Sequence, residues 1–113
     1  MLIELTKQYV EAFNNKDIEK VAELFTDNFT LEDPVVKRIE GKKKVLEAIN
    51  GIFKSCQELN FEAKNIYQDN TTTIIEFVLI LDGTVLSGID IIEWEGKKMK
   101  ELRAYLDIPC NEK

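Results

Sequence analysis

The sequence predicts an α+β fold in which an antiparallel sheet carries helices over one face. Three observations lead there. Apolar residues recur at three- and four-residue spacing through much of the first half of the chain, as on one side of a helix. From Phe61 onward the period changes to two, the mark of half-buried strands. The alternating runs are separated by short turn signals, Asp69-Asn70, Asp82-Gly83 and Glu95-Gly96-Lys97, which join neighbours as hairpins. Consecutive hairpins give an antiparallel sheet, and helices gathered ahead of it cover one face.

Each element follows from its own residues. Leu2, Leu5, Tyr9, Ala12 and Phe13 form one stripe, so residues 2–14 are expected to be helical until Asn14-Asn15-Lys16 breaks the pattern. Asp17 is an N-cap for a short second helix with Ile18, Val21, Ala22 and Phe25 on its apolar face. Thr26-Asp27-Asn28 is expected to turn the chain into a strand in which Phe29, Leu31 and Asp33 share a face and Glu32 points the other way. Pro34 cannot donate to a strand ladder and closes it. The mixed polar stretch up to Gly41 is expected to be a loop. A third helix, about 42–55, carries the stripe Val45, Ile49, Ile52, Phe53 and Cys56. Gly51 inside it costs roughly 1 kcal/mol relative to Ala, which suggests close packing against a neighbour.

Four strands follow. Phe61, Ala63, Asn65 and Tyr67 are expected to share one face of the first, and Thr73, Ile75, Phe77, Leu79 and Leu81 one face of the second. The third, Val85 to Glu95, sets Leu86, Gly88, Asp90, Ile92 and Trp94 together, with Trp94 marking that face as inward. The last, from about Lys98 to Leu106, alternates Leu102, Ala104 and Leu106 against Met99, Glu101, Arg103 and Tyr105. Asn111-Glu112-Lys113 is expected to fray.

Composition narrows the function. A chain of 113 residues at 44% hydrophobic suits one domain, 1–113, with one core. A net charge of -6 argues against a nucleic-acid or anionic-membrane binder, which needs a basic face. Lys42-Lys43-Lys44, the densest basic run, fits the solvated first turn of the third helix. No apolar run approaches the roughly 20 residues that span a bilayer. Glu4 and Lys7 near the start do not fit a signal peptide, so the expected location is cytoplasmic. Cys56 and Cys110 make no disulfide framework; Cys56 is expected in the core and Cys110 as a free thiol in the tail. With no histidine and no cysteine cluster, no metal site is expected, and acid–base chemistry falls to Asp, Glu, Tyr, Lys or Cys.

Two carboxylates stand out. Asp33 ends an apolar strand face, and Asp90 shares a face with Leu86, Ile92 and Trp94. Burying a charge is costly unless it is paired or neutralised. Taken singly, each has a plain explanation: a cap, a rim position, or a partner for Arg103 or Lys37. Tyr9, in a helix stripe, is by itself a core residue with its hydroxyl at a rim. Together, two acids and a phenol facing one apolar space make a workable proton-transfer site.

Those residues sit within a wider resemblance. Gln8-Tyr9-Val10-Glu11-Ala12 with Asn14 and Asp17, then Val21-Ala22-Glu23-Leu24-Phe25, Glu32-Asp33-Pro34-Val35, Ile89-Asp90 and Arg103-Ala104 resemble the ketosteroid isomerase branch of the nuclear-transport-factor-2-like, or SnoaL-like, superfamily. The resemblance implies a cone: a curved sheet wrapped around the helices, a deep pocket and a homodimer formed through the sheet. It implies that Asp33 moves a proton between carbons next to a ketone, while Tyr9 and a protonated Asp90 hold the dienolate oxygen, with no cofactor or metal. Phe13, Phe53, Phe77, Ile92, Trp94 and Leu106 are the expected pocket wall. The chain departs from the isomerases where aromatic residues are expected. Ile91 and Ile92 follow Asp90, Leu106 stands near an expected aromatic, and Ile49 or a neighbour replaces a supporting tyrosine. The implied ligand is therefore a small apolar molecule rather than a steroid. Two other readings stay open. One is a non-catalytic ligand-binding or dimerisation module. The other is a cyclase or an epoxide hydrolase, which would need Arg103 turned inward.

Overall fold

The computed structural model describes residues 1–34 and 37–107. Val35, Cys110 and Asn111-Glu112-Lys113, which figure in the expectations above, lie outside the described residues. In chain order the elements are α1 (Leu2–Asn14), α2 (Ile18–Glu23), β1 (Phe25–Asp33), β2 (Lys37–Glu40), α3 (Lys42–Ser55), β3 (Leu59–Asp69), β4 (Thr72–Leu81), β5 (Thr84–Glu95) and β6 (Lys98–Asp107). Asp17 caps α2 as expected, its side chain accepting from the Lys20 N–H at 3.2 Å.

The strands form one curved six-stranded sheet in the order β2-β1-β6-β5-β4-β3, with the helices on its concave side. Every pair is antiparallel except β1 with β6, which run parallel. That pairing joins strands far apart in sequence, so no hairpin signal announces it. It completes the cradle by bringing Asp33 beside the β5–β6 hairpin.

Five local expectations need correction. Residues 26–28 belong to β1, and Phe25 opens that strand instead of closing the face of α2. Its ring stacks on Phe29 at a centroid distance of 3.8 Å, across a break in the β1–β6 register. The stretch before Gly41 includes an edge strand, β2, pairing Lys37 with Asp33 and Glu40 with Thr30. Its polar composition carries no apolar alternation because only one side of it is paired. On β3, Lys64 is an extra residue between Ala63 and Asn65, so the alternation changes phase: Ile66 is half-buried and Tyr67 is exposed. On β6, Lys100 is likewise extra, which lets both Met99 and Leu102 face the core. Gly51 is exposed, and a Cβ there would meet no atom within 4 Å, so it marks no close approach.

Gly88 is the glycine that the fold demands. A Cβ at this position of β5 would overlap the Tyr105 carbonyl oxygen on β6 and lie 3.1 Å from the Phe77 ring. Further along the sheet, α1 is tied down by buried hydroxyls. Thr6 donates to the Leu2 carbonyl at 2.8 Å, lies 2.8 Å from the Thr73 hydroxyl, and Thr73 accepts from the Trp94 indole N–H at 2.8 Å. At the other end of α1, Asn14 accepts the Phe61 N–H at 2.7 Å. These bonds satisfy groups that burial would otherwise penalise, and they set the position of α1 over the sheet. Among the described residues no helix is long and apolar enough to cross a membrane.

Candidate functional site

Two strands and one helix supply the polar groups. Asp33 is the last residue of β1 and points to the concave face, in phase with Phe29 and Leu31. Glu32 lies opposite Arg103 in the parallel β1–β6 ladder, so one step on, Asp33 stands beside Ala104. Ala104 in turn pairs with Asp90 on β5. Asp33, Ala104 and Asp90 thus occupy one row across neighbouring strands. Two strand spacings put the two aspartate backbones roughly 10 Å apart, with both side chains inward. Tyr9 comes from α1 above them. Its ring lies 5.9 Å from that of Phe13 and 6.2 Å from that of Phe61, which fixes it over the row.

All three line one cavity of about 90 Å³. The rest of its wall is apolar, with Leu31, Ile49, Ile52 and Leu79 among the aliphatic members. This is smaller than the deep pocket implied by resemblance. The reason is a run of rings filling the cone: Phe13 on Phe53 at 5.1 Å, Phe13 on Phe61 at 5.0 Å and Phe61 on Phe77 at 5.1 Å.

Electrostatics separates the two acids. Asp90 is 5% exposed, and no Lys or Arg among the described residues lies within ion-pair distance of it. Burial first, and the negative charge of Asp33 second, push its carboxyl from 3.8 up to about 8. At neutral pH Asp90 is therefore a carboxylic acid with a proton to donate. Burial, and then the Asp90 charge, hold the Tyr9 phenol well above its ordinary value, so it too keeps its proton. Asp33 is only half-buried, at the strand end. The cavity thus offers two neutral O–H donors and, half-buried at its edge, the Asp33 side chain.

The residues expected as pocket wall divide between two places. Phe13, Phe77 and Leu106 line the cavity. Phe53, Ile92 and Trp94 do not; Phe53 backs Phe13, and Ile92 and Trp94 lie in the solid core, with Trp94 turned to Thr73. The reason lies in the sheet's row order: Ile92 and Trp94 sit progressively farther from the Asp90 row than the cavity extends. Leu31, Ile52, Phe61, Leu79, Leu102 and Ala104 were not foreseen as wall residues, although alternation or helical spacing put each on an inward face. Arg103 is turned to the convex face, donating to Glu101 at 2.7 Å and Glu93 at 2.9 Å. It does not meet the requirement of the epoxide-hydrolase reading. Among the described residues no group of three or more His, Cys, Asp or Glu is placed to hold a metal.

Comparison with known proteins places this geometry in context. A family model described as SnoaL-like domain matches residues 6–102. No curated protein matches the sequence. Among solved structures, a SnoaL-like protein of unknown function from Burkholderia thailandensis is similar at TM-score 0.85 and 14% identity, covering 94% of this chain and 94% of that one. A protein with a ketosteroid isomerase-like fold from Catenulispora acidiphila, in complex with trimethylamine, has TM-score 0.81 at 12% identity, covering 93% and 86%. An LEH-like epoxide hydrolase from M. tuberculosis has TM-score 0.79 at 17% identity, covering 94% and 82%. At these identities the likeness is one of fold.

Proposed function

Because the chain belongs to the SnoaL-like domain family, we propose that it shifts a proton next to a carbonyl in a small apolar ketone, as the ketosteroid isomerases do. The observation that carries this reading is Asp90, a buried carboxyl held neutral with a pKa of about 8 in the same cavity as Tyr9 and Asp33. A buried acid that pairs with no cation is a costly feature for a purely structural residue. It is useful where a hydrogen-bond donor is needed in an apolar site.

The chemistry follows from the groups. The Asp33 carboxylate takes a proton from the carbon between the carbonyl and the double bond. The electron pair moves to the carbonyl oxygen, giving a dienolate. Tyr9 and Asp90 donate hydrogen bonds to that oxygen, and because they are fixed beforehand they need no reorganisation as charge develops. Asp33 then returns its proton to the distal carbon, the double bond moves into conjugation, and the carboxylate is restored. A cavity of about 90 Å³ is smaller than the roughly 150 Å³ that accommodates benzene, which favours a short-chain ketone over a steroid. The test is to follow conversion of a small β,γ-unsaturated ketone by the absorbance of its conjugated product. Wild type is expected to turn it over, and Asp33→Asn to lose about 10²–10⁴-fold. No turnover by wild type overturns the proposal.

A second reading, a ligand-binding or dimerisation module without catalysis, is favoured by the small cavity and by the convex sheet face. There Tyr67, Val85, Ile89 and Tyr105 are exposed beside half-buried Ile74 and Ile91. Under either reading we propose a homodimer through this face, where apolar strand residues gain a cover.

A further inference from the structure

The cavity has a neighbour. An open groove of about 350 Å³ runs along the outer end of β1 and β6, lined among others by Lys37, Arg38, Arg103 and Tyr105. Asp33 and Ala104 line both the groove and the inner cavity. The two spaces thus have these two residues in common, and Ala104 contributes only a methyl group. The inner cavity, at about 90 Å³, has room for about three waters. The groove lies in the roughly 300–1,000 Å³ range typical of ligand sites. A substrate whose ketone reaches Tyr9 and Asp90 has nowhere to place further atoms inside. The groove that shares Asp33 and Ala104 offers the room for them.

The groove's charges indicate what those atoms are. Arg103 is engaged by Glu101 at 2.7 Å and Glu93 at 2.9 Å, and Arg38 by Glu32 at 3.2 Å and Glu40 at 3.3 Å. Lys37 is different. It is exposed, has no carboxylate within ion-pair distance among the described residues, and pairs with Asp33 across the β1–β2 ladder. Its backbone therefore lies one strand away from the residue proposed as the base. The protein as a whole carries a net charge of -6; in the groove the two arginines are matched by carboxylates, and among the described residues Lys37 is the cation left over for an incoming anion.

We propose that this groove is the outer half of the site and takes the carboxylate end of a short oxo-acid, held by Lys37, while the ketone end occupies the inner cavity. The proposal rests on the isomerase reading for the orientation of the ketone. It names the substrate class as an unsaturated oxo-acid rather than a neutral ketone.

The test is a pair of NMR titrations of the full chain, with 4-oxopentanoate and with the neutral ketone 2-pentanone as probes. Wild type is expected to bind the oxo-acid at least about tenfold more tightly, a preference that shrinks as salt is raised. Lys37→Met should abolish the preference while leaving 2-pentanone binding unchanged, and Lys37→Arg should retain it. Equal binding of the two probes by wild type, or a preference that survives in Lys37→Met, overturns the proposal. The result is separable from catalysis. A Lys37-dependent preference in a protein that isomerises no unsaturated ketone sustains this site and removes the isomerase reading.

Discussion

Asp33 and Asp90 face the same cavity from one row of the sheet, with Ala104 between them. Their chemistry differs because their surroundings differ. Asp90 is enclosed at mid-strand, whereas Asp33 stands half-buried at the end of β1. The charge of one raises the proton affinity of the other, and in the proposed mechanism the pair divides into an acceptor and a donor of protons.

This division fixes a pH dependence. The Asp90 carboxyl has a pKa of about 8 in the folded protein against an ordinary 3.8. Between those values the folded chain keeps a proton that the unfolded chain has released. Stability therefore falls as pH rises through that window, by at most about 1.4 kcal/mol per pH unit from this group, and levels off above about pH 8. Asp90→Asn should flatten the slope and be more stable than wild type at pH 8–9, as read from denaturant midpoints across pH. The proposed isomerase activity should fall above about pH 8, where the donor is lost.

Tyr9→Phe should separate catalysis from folding. The ring keeps its contacts with Phe13 and Phe61, so thermal stability should change by less than about 1 kcal/mol. One donor to the dienolate is lost, and kcat should drop by about 10²–10³-fold. Steady-state kinetics beside a melting curve checks both.

Gly88→Ala should be destabilising without touching any proposed catalytic group. The added methyl meets the Tyr105 carbonyl and the Phe77 ring. Overpacking of this kind costs about 1–3 kcal/mol or more when backbone must yield. Gly51→Ala, at an exposed helical site with open space around it, should instead stabilise by about 0.5–1 kcal/mol. Chemical denaturation of the two variants checks the contrast.

The convex face should determine oligomeric state. Ile89→Glu, at an exposed mid-sheet position, should convert the proposed dimer to a monomer in sedimentation velocity while leaving the far-ultraviolet circular dichroism unchanged. A wild type that is monomeric at high concentration contradicts the homodimer.

Much of this architecture was written in local patterns. The α1 stripe from Leu2 to Phe13, the Asp17 cap and the Asp82-Gly83 turn each depend on neighbours within a few residues, and each is found where the sequence puts it. Asp33 and Asp90 were legible as inward because alternation in β1 and β5 is unbroken around them. What depended on long-range pairing was not legible. The parallel β1–β6 ladder, the β2 edge strand, and the extra residues Lys64 and Lys100 follow from how strands meet. The cavity's limits were hidden for the same reason. Trp94 has the right face but the wrong row, and Phe61 closes the space only because α1 and β3 meet there.

The most direct measurement is a carbon-13 NMR titration of the aspartate side-chain carboxyls, with Asp90→Asn used to assign the resonance. The account predicts a carboxyl that stays protonated at pH 7 and titrates near 8. An Asp90 resonance already ionised by pH 5 would leave no acid to hold the dienolate, and would contradict the proposed mechanism.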